Sequence, residues 1–401
     1  MVDYMLVSLL LLARSVLTSP LHDYVKLADP SFSAVAKSAT EFRLTSQTWQ
    51  GHAWTHDISW NVPRQRTSSD TAILVVTGDR VEPTDGRYAK RLADTSGLDV
   101  FTLFQVPNQP LWGQREDALI AYSFGQFLGS KDNTWPLLLP MVKSAVKAMD
   151  AIQQLAGAKA PKRFVVTGAS KRGWTTYLVG ALSDPRVAGI APAVFNNLKF
   201  ESQIAHQKNL WGKYSEMIAD YERAGLLEVM KTPRGKELVR IVDPYEYRGR
   251  MTVPKLIITG SNDRYWATDA LNLYLQDFKG PTSVFVAPNR GHDTDGLEIG
   301  CLAAFARQTA GGKALPQLVG NLLSNGSGLT WRAEGPVAQR VWVATSTTND
   351  FRDATWSAIP LETKDRTWQA PRREAKMMAF IEANFRVGGR DFSLSTPPFK
   401  L

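Results

Sequence analysis

A doubly wound, mostly parallel α/β sheet is the fold class this sequence predicts, and three observations predict it. Apolar runs of strand length recur between residues 72 and 287, with helix-period segments between them. That alternation is the signature of parallel strands joined by crossover helices. Three of those runs end in turns carrying a serine, an aspartate and a histidine, in that order. After about residue 315 the helical segments give way to short strands separated by Gly-, Pro-, Asn- and Asp-rich turns.

The chain has 401 residues, which suits one large domain and one small one. Tyr4–Ala13 is an apolar stretch too short to span a bilayer as a helix. It suits the core of a signal peptide covering residues 1–18, with cleavage after Thr18 and Val16 at −3. Asp3 before this core and Arg14 after it depart from that pattern. The expectation is an exported chain, secreted or periplasmic, with no integral membrane segment. The net charge of +9 is spread along the chain without a Lys/Arg block, so a nucleic-acid partner is not expected. Cys301 is the single cysteine, so an intramolecular disulfide is excluded. No Cys/His cluster suggests a metal, and no cofactor is expected.

The elements follow in order. Phe42 and Leu44, then Trp54, His56, Ile58 and Trp60, alternate with polar residues and predict an antiparallel pair. Ala72–Thr77 reads as a buried strand ending in Gly78-Asp79. A helical segment around Tyr88–Thr95 and a strand at Val100–Phe104 come next. Val142, Ala145, Val146, Met149 and Ile152 carry a helix period. Arg163–Ala169 is a strand, and a helix follows from about Thr175. Ala188–Val194 is another strand. Residues 196–250 break the alternation and read as a helical cap whose aromatics (Trp211, Tyr214, Tyr221, Tyr245, Tyr247) line a cleft. Two more strands end at Asp263 and His292, and a helix spans Gly296–Thr309 with Cys301 in its core face. Strands near Leu329–Trp331, Val337–Ala344, Trp356–Leu361 and Ala375–Val387 suit a small β-sandwich. The expected division is a domain at 23–315 and a β-sandwich domain at 316–401. Trp331, Trp342, Trp356 and Trp368 read as core residues, with sugar stacking as the alternative. Asn325-Gly326-Ser327 is a glycosylation sequon, meaningful only in a eukaryotic secretory pathway.

The chemistry concentrates at Gly168-Ala169-Ser170-Lys171-Arg172-Gly173. A strand running into a serine between small residues, then into a helix, builds a nucleophile elbow, which exposes the hydroxyl on a strained turn. The general form is G-x-S-x-G; here the second glycine comes one position late. Ser170, Asp263 and His292 follow the α/β-hydrolase order of nucleophile, acid and base, each just past a strand. His206, in the insertion, is the competing histidine. An oxyanion hole would combine the Lys171 backbone N–H with a donor from the Gly78-Asp79 loop. Lys171 and Arg172 put two cations beside the serine. Either they pair with carboxylates, or one faces the pocket and favours an anionic substrate. Glu116 and Asp117 open an apolar helix and read as acids favoured by its N-terminus, with binding of a substrate amine as the alternative.

The elbow, together with Val106-Pro107-Asn108-Gln109-Pro110, the run Arg115–Tyr122 and Trp135-Pro136, resembles the PhoPQ-activated pathogenicity-related protein family. This domain is shared with autocrine proliferation repressor proteins. The resemblance covers about residues 23–401. It implies an exported α/β-hydrolase-like domain followed by a C-terminal β domain, and it implies no particular substrate. The elbow is also similar to that of glucuronoyl esterases, with Lys171 at their arginine position. The function expected is a serine hydrolase acting on a small ester or peptide. The rival is a secreted signalling or virulence-related binding protein with a vestigial hydrolase domain, meeting a cell-surface or protein partner through its C-terminal part.

Overall fold

The computed structural model describes residues 19–401 except 69, 79–82 and 372–374. The expected leader at 1–18 and the oxyanion candidate Asp79 lie outside the described residues. The strands are β1 (Ser33–Ala36), β2 (Glu41–Trp49), β3 (His52–Asn61), β4 (Thr71–Val76), β5 (Val100–Leu103), β6 (Arg163–Ala169), β7 (Val187–Ala193), β8 (Lys255–Gly260) and β9 (Thr282–Ala287). The C-terminal part adds β10 (Leu318–Leu322), β11 (Gly328–Ala333), β12 (Ala338–Ser346), β13 (Ser357–Leu361), β14 (Thr367–Gln369), β15 (Lys376–Val387), β16 (Arg390–Ser395) and β17 (Phe399–Lys400). The helices are α1 (Pro20–Lys26), α2 (Pro83–Ser96), α3 (Glu116–Gly129), α4 (Leu138–Leu155), α5 (Lys171–Ala181), α6 (Phe200–Trp211), α7 (Ala219–Arg223), α8 (Leu226–Val229), α9 (Pro233–Val242) and α10 (Ile299–Ala310).

Strands β5, β4, β6, β7, β8 and β9 lie side by side and parallel. Their side chains are almost continuously buried, as a sheet covered on both faces requires. Helices α4 and α5 pack on one face, within the larger apolar cluster. Helices α2 and α10 pack on the other. The winding reverses between β4 and β6. From β4 the chain crosses through α2 to β5 on one side, and from β6 it crosses through α5 to β7 on the other. Such a reversal opens a crevice beyond the carboxyl ends of the two strands, where open α/β sheets hold their ligands. Ser170 follows β6 and Gly78 follows β4, so both sit at that crevice.

The antiparallel start predicted from residues 42–60 is β2 with β3, and β3 joins β5 antiparallel. The C-terminal strands are β-rich and antiparallel, in two layers. Sheet β10-β11-β14 forms one layer, and Leu329 and Trp331 share a core with Val341, Ile381 and Phe392 of the other. That second layer is continuous with the central sheet: β16 pairs with β9 through Ser395 and Val284, and β15, β12 and β13 follow outward. A fourteen-stranded sheet therefore runs through both parts. The physical reason is that β9 would otherwise leave an open row of backbone donors and acceptors at the sheet edge. Trp331 and Trp356 are buried, and Trp342 and Trp368 are half-buried, which agrees with a packing role. Cys301 is buried in α10, where burial pushes its thiol well above the ordinary range. Among the described residues, no helix is long and apolar enough to cross a membrane.

Candidate active site

Ser170 stands between β6 and α5 with φ 59° and ψ −126°. This backbone conformation costs an L-residue of order 1–3 kcal/mol and is held by its surroundings. Its N–H donates to the carbonyl of Ala193 on β7 at 2.9 Å, which fixes the turn to the neighbouring strand. The two glycines of the motif have separate steric causes. A Cβ on Gly168 would lie 2.9 Å from both the Arg172 Cβ and the Val76 carbonyl. A Cβ on Gly173 would lie 2.5 Å from the Ala193 carbonyl. The late second glycine therefore serves the close crossing of α5 over β7.

Asp263 is buried in the turn after β8 and His292 follows β9. His292 Nδ1 and Asp263 Oδ2 are 2.9 Å apart. The other oxygen, Oδ1, accepts the Tyr265 N–H at 3.0 Å. Both oxygens are thus engaged, and the carboxylate orients the imidazole with its proton on Nδ1. His292 Nε2 is buried and has no hydrogen-bond partner. An unpartnered imidazole nitrogen is ready to accept a proton, and apo sites often hold such bonds open until substrate arrives. His292 borders the same polar cleft as Gly168 and Ala169, the two residues before the serine. The structure thus pairs Asp263 with His292 at the serine elbow. It sets the competitor apart: His206 Nε2 meets Asp269 at 2.7 Å, and His206 lines neither the Ser170 cavity nor the cleft that His292 shares with Gly168 and Ala169.

Lys171 and Arg172 settle on the carboxylates. Arg172 makes a two-pronged contact with Glu116, Nη1 to Oε2 at 2.8 Å and Nη2 to Oε1 at 2.7 Å. Its Nε also donates to the Val106 carbonyl at 2.5 Å. Lys171 Nζ lies 2.9 Å from Glu116 and 3.2 Å from Asp117. Burial alone would raise the Glu116 carboxyl, but hydrogen bonds and charge from Arg172 and Lys171 win and hold it at about 2. Two cations and two anions sum to zero beside the nucleophile. The anionic-substrate expectation drawn from Lys171 and Arg172 thus loses its basis, because neither charge is left over. The same pairing accounts for Glu116 and Asp117. They do sit in the first turn of α3, where the Glu116 N–H donates to Gln109 Oε1 at 2.7 Å and the N-cap residue Arg115 makes no capping bond. Asp117 is engaged by Lys171, Tyr221 Oη at 3.0 Å and Tyr265 Oη at 3.3 Å, so its charge is already balanced without a substrate amine. Gly78 lies against Arg172, and its carbonyl accepts the Gln105 N–H at 2.6 Å.

The insertion forms a cap of α6 to α9 between β7 and β8. With Ser170 it encloses a cavity, but of the aromatics expected to line it only Tyr221 does so. Its walls from the cap are mainly aliphatic, including Ile204, Leu226, Leu227, Met230 and Leu238. Trp211 instead packs under the Arg352 guanidinium, 3.8 Å from the ring centre, and Tyr247 is buried against the cap's own base. Sequence reasoning missed Tyr265 and Trp266, which follow the acid. The available signal was the turn that Asp263 forms by accepting the N–H two residues on. Nothing in the sequence pointed to the ring contact between Tyr265 and His292.

The chain matches the PhoPQ-activated pathogenicity-related protein family over residues 25–352. It is 31% identical over 386 residues to autocrine proliferation repressor protein A of Dictyostelium discoideum, covering 86% of this chain and 78% of that one. Among solved structures, acetyl xylan esterase 1 from Thermoanaerobacterium sp. JW/SL YS485 superposes with a TM-score of 0.47 at 14% identity, over 68% of this chain and 86% of that chain. An arylesterase superposes with a TM-score of 0.43 at 12% identity, over 73% and 89%.

Proposed function

This chain belongs to the PhoPQ-activated pathogenicity-related protein family, and from that premise we propose that it is a serine hydrolase of the α/β-hydrolase type, cleaving an ester or amide bond. The observation that carries this reading is the 2.9 Å pair of His292 Nδ1 with Asp263 Oδ2, on a cleft also lined by Gly168 and Ala169, the two residues before a serine strained to φ 59°. Ser170 Oγ attacks the substrate carbonyl carbon while His292 Nε2 takes its proton. Asp263 keeps the imidazole in the tautomer with Nε2 free and stabilises the imidazolium. The oxyanion is held by the Lys171 N–H, and Gly78, in the loop after β4, is the described candidate for the second donor. The imidazolium then protonates the leaving alcohol or amine. Water, deprotonated by the same nitrogen, releases the acid and restores the serine. Export belongs to the same proposal and rests on the apolar run Tyr4–Ala13.

A second reading is a binding role on a hydrolase scaffold, favoured by the name of the Dictyostelium relative, a proliferation repressor. Labelling by a fluorophosphonate separates the two. Under the hydrolase reading wild type labels, and Ser170→Ala and His292→Ala do not. A folded wild type that stays unlabelled removes the hydrolase reading and leaves the binding role.

A further inference from the structure

Two clefts of opposite character flank the serine elbow, one lined by Ser170 and Lys171 and the other by Gly168 and Ala169. One runs under the cap from Ser170 and is walled by Trp174, Phe195, Phe200, Leu227, Leu238 and Trp266. The other is polar, borders His292, and carries Arg87, Arg91, Asp293 and Glu298. The leaving group must face the residue that returns its proton, which is His292. That assigns the leaving group to the polar cleft and the acyl chain to the apolar one.

We infer that the site takes an uncharged, apolar acyl group longer than acetyl, with a polar leaving group; this rests on the serine-hydrolase reading above. The preference for a chain longer than acetyl comes from the cavity's wall, in which apolar side chains predominate. The absence of charge comes from the cavity's own ionisable groups. Asp117 and Lys171 line it, but they bond each other, and the phenols of Tyr221 and Tyr265 both go to Asp117. A substrate carboxylate or ammonium would enter with no free counter-charge, since the unpartnered Trp266 Nε1–H that lines the cavity is neutral, and a buried charge without a counter-charge is costly. A bare acetyl group would leave most of the apolar wall uncovered.

The test uses p-nitrophenyl esters from acetyl to dodecanoyl on the full chain, with p-nitrophenyl hemisuccinate as the charged acyl. From acetyl, kcat/KM should rise about three- to fourfold per added methylene until the cavity is filled, then fall. The hemisuccinate should run at least about tenfold below the butyryl ester. Ile204→Phe and Met230→Phe fill the cavity from half-buried positions and should move the optimum toward acetyl. A second measurement does not need turnover: hexanamide and succinamate are titrated into Ser170→Ala and followed by tryptophan fluorescence, since Trp174 and Trp266 line the cavity. Hexanamide should bind and succinamate should not. Turnover that is flat with chain length, or highest for acetyl or hemisuccinate, overturns the inference while leaving the hydrolase reading intact. Saturable hexanamide binding in a protein that resists fluorophosphonate does the reverse, keeping the apolar-chain site and removing the hydrolysis. Failure of both removes both.

Discussion

The ring of Tyr265 lies against the imidazole of His292, with centroids 4.2 Å apart and planes 30° apart, while its own backbone N–H donates to Asp263 Oδ1 at 3.0 Å. One residue therefore touches both the base and the acid of the proposed triad. Its phenol reaches further, to Asp117 at 3.3 Å. Tyr265 thus acts as a positioning residue. Tyr265→Phe keeps the ring and should lose less than about threefold in kcat/KM. Tyr265→Ala removes a contact typically worth about 0.5–1.5 kcal/mol beyond its buried area, and should lose about tenfold or more. The loss should fall on kcat rather than KM, which steady-state kinetics on a butyryl ester reads directly.

Asp263→Asn keeps the shape of the acid and removes its charge. An amide can present its N–H₂ to His292 Nδ1 and thereby favour the tautomer with the proton on Nε2. In a triad that exchange lowers turnover about 10⁴-fold. The variant should stay folded, because the oxygen that accepts the Tyr265 N–H can remain in place. Fluorophosphonate labelling should slow by a comparable factor, with the thermal midpoint little changed.

Glu116 is the common partner of Arg172 and Lys171, both buried. Glu116→Gln leaves two buried cations short of a counter-charge and should destabilise the protein by about 3 kcal/mol. This is the low end for breaking a buried pair, because Glu116 itself stays partly exposed. The pH dependence has a definite sign. The folded carboxyl sits near 2, below its ordinary 4.5, so its contribution is present above pH 4.5 and drains as pH falls toward 2. The stability gap between wild type and Glu116→Gln, read from denaturant midpoints, should therefore be constant above pH 5 and narrow below 4.5.

Two glycine substitutions should move stability in opposite directions. Gly173→Ala drives a Cβ to 2.5 Å from the Ala193 carbonyl, where backbone cannot yield cheaply. It should cost about 1–3 kcal/mol and weaken labelling, since the same carbonyl holds the Ser170 N–H. Gly125 is exposed within α3 and a Cβ there meets nothing within 4 Å. Gly125→Ala should stabilise by about 0.5–1 kcal/mol, through the backbone freedom that glycine loses in a helix. Thermal melts of both variants check this pair.

The local rules of strand and helix carried the central sheet. Continuous apolar runs at Ala72, Arg163, Val187 and Lys255 became parallel strands because both faces of such a sheet are covered, and the period within residues 142–152 became α4. The strand-to-turn contexts of Ser170, Asp263 and His292 were legible for the same reason, since each depends on its neighbours in sequence. The short partners β10, β14 and β17 were not legible; two to five residues without periodicity gain their pairing only from strands already in place.

The sequence by itself determined the α/β alternation, the elbow glycine at 168 and the placing of Ser170, Asp263 and His292 just past strand ends, because strand burial and turn sterics act over a few residues. Only the tertiary structure decided three things. Lys171 and Arg172 are neutralised by Glu116 and Asp117, from a helix more than fifty residues away. Aliphatic side chains of the cap line the serine cavity. The C-terminal strands extend the central sheet through β16 and β9. Charge pairing, cavity shape and edge pairing all depend on which surfaces meet in space, and chain connectivity leaves that open until the core has packed.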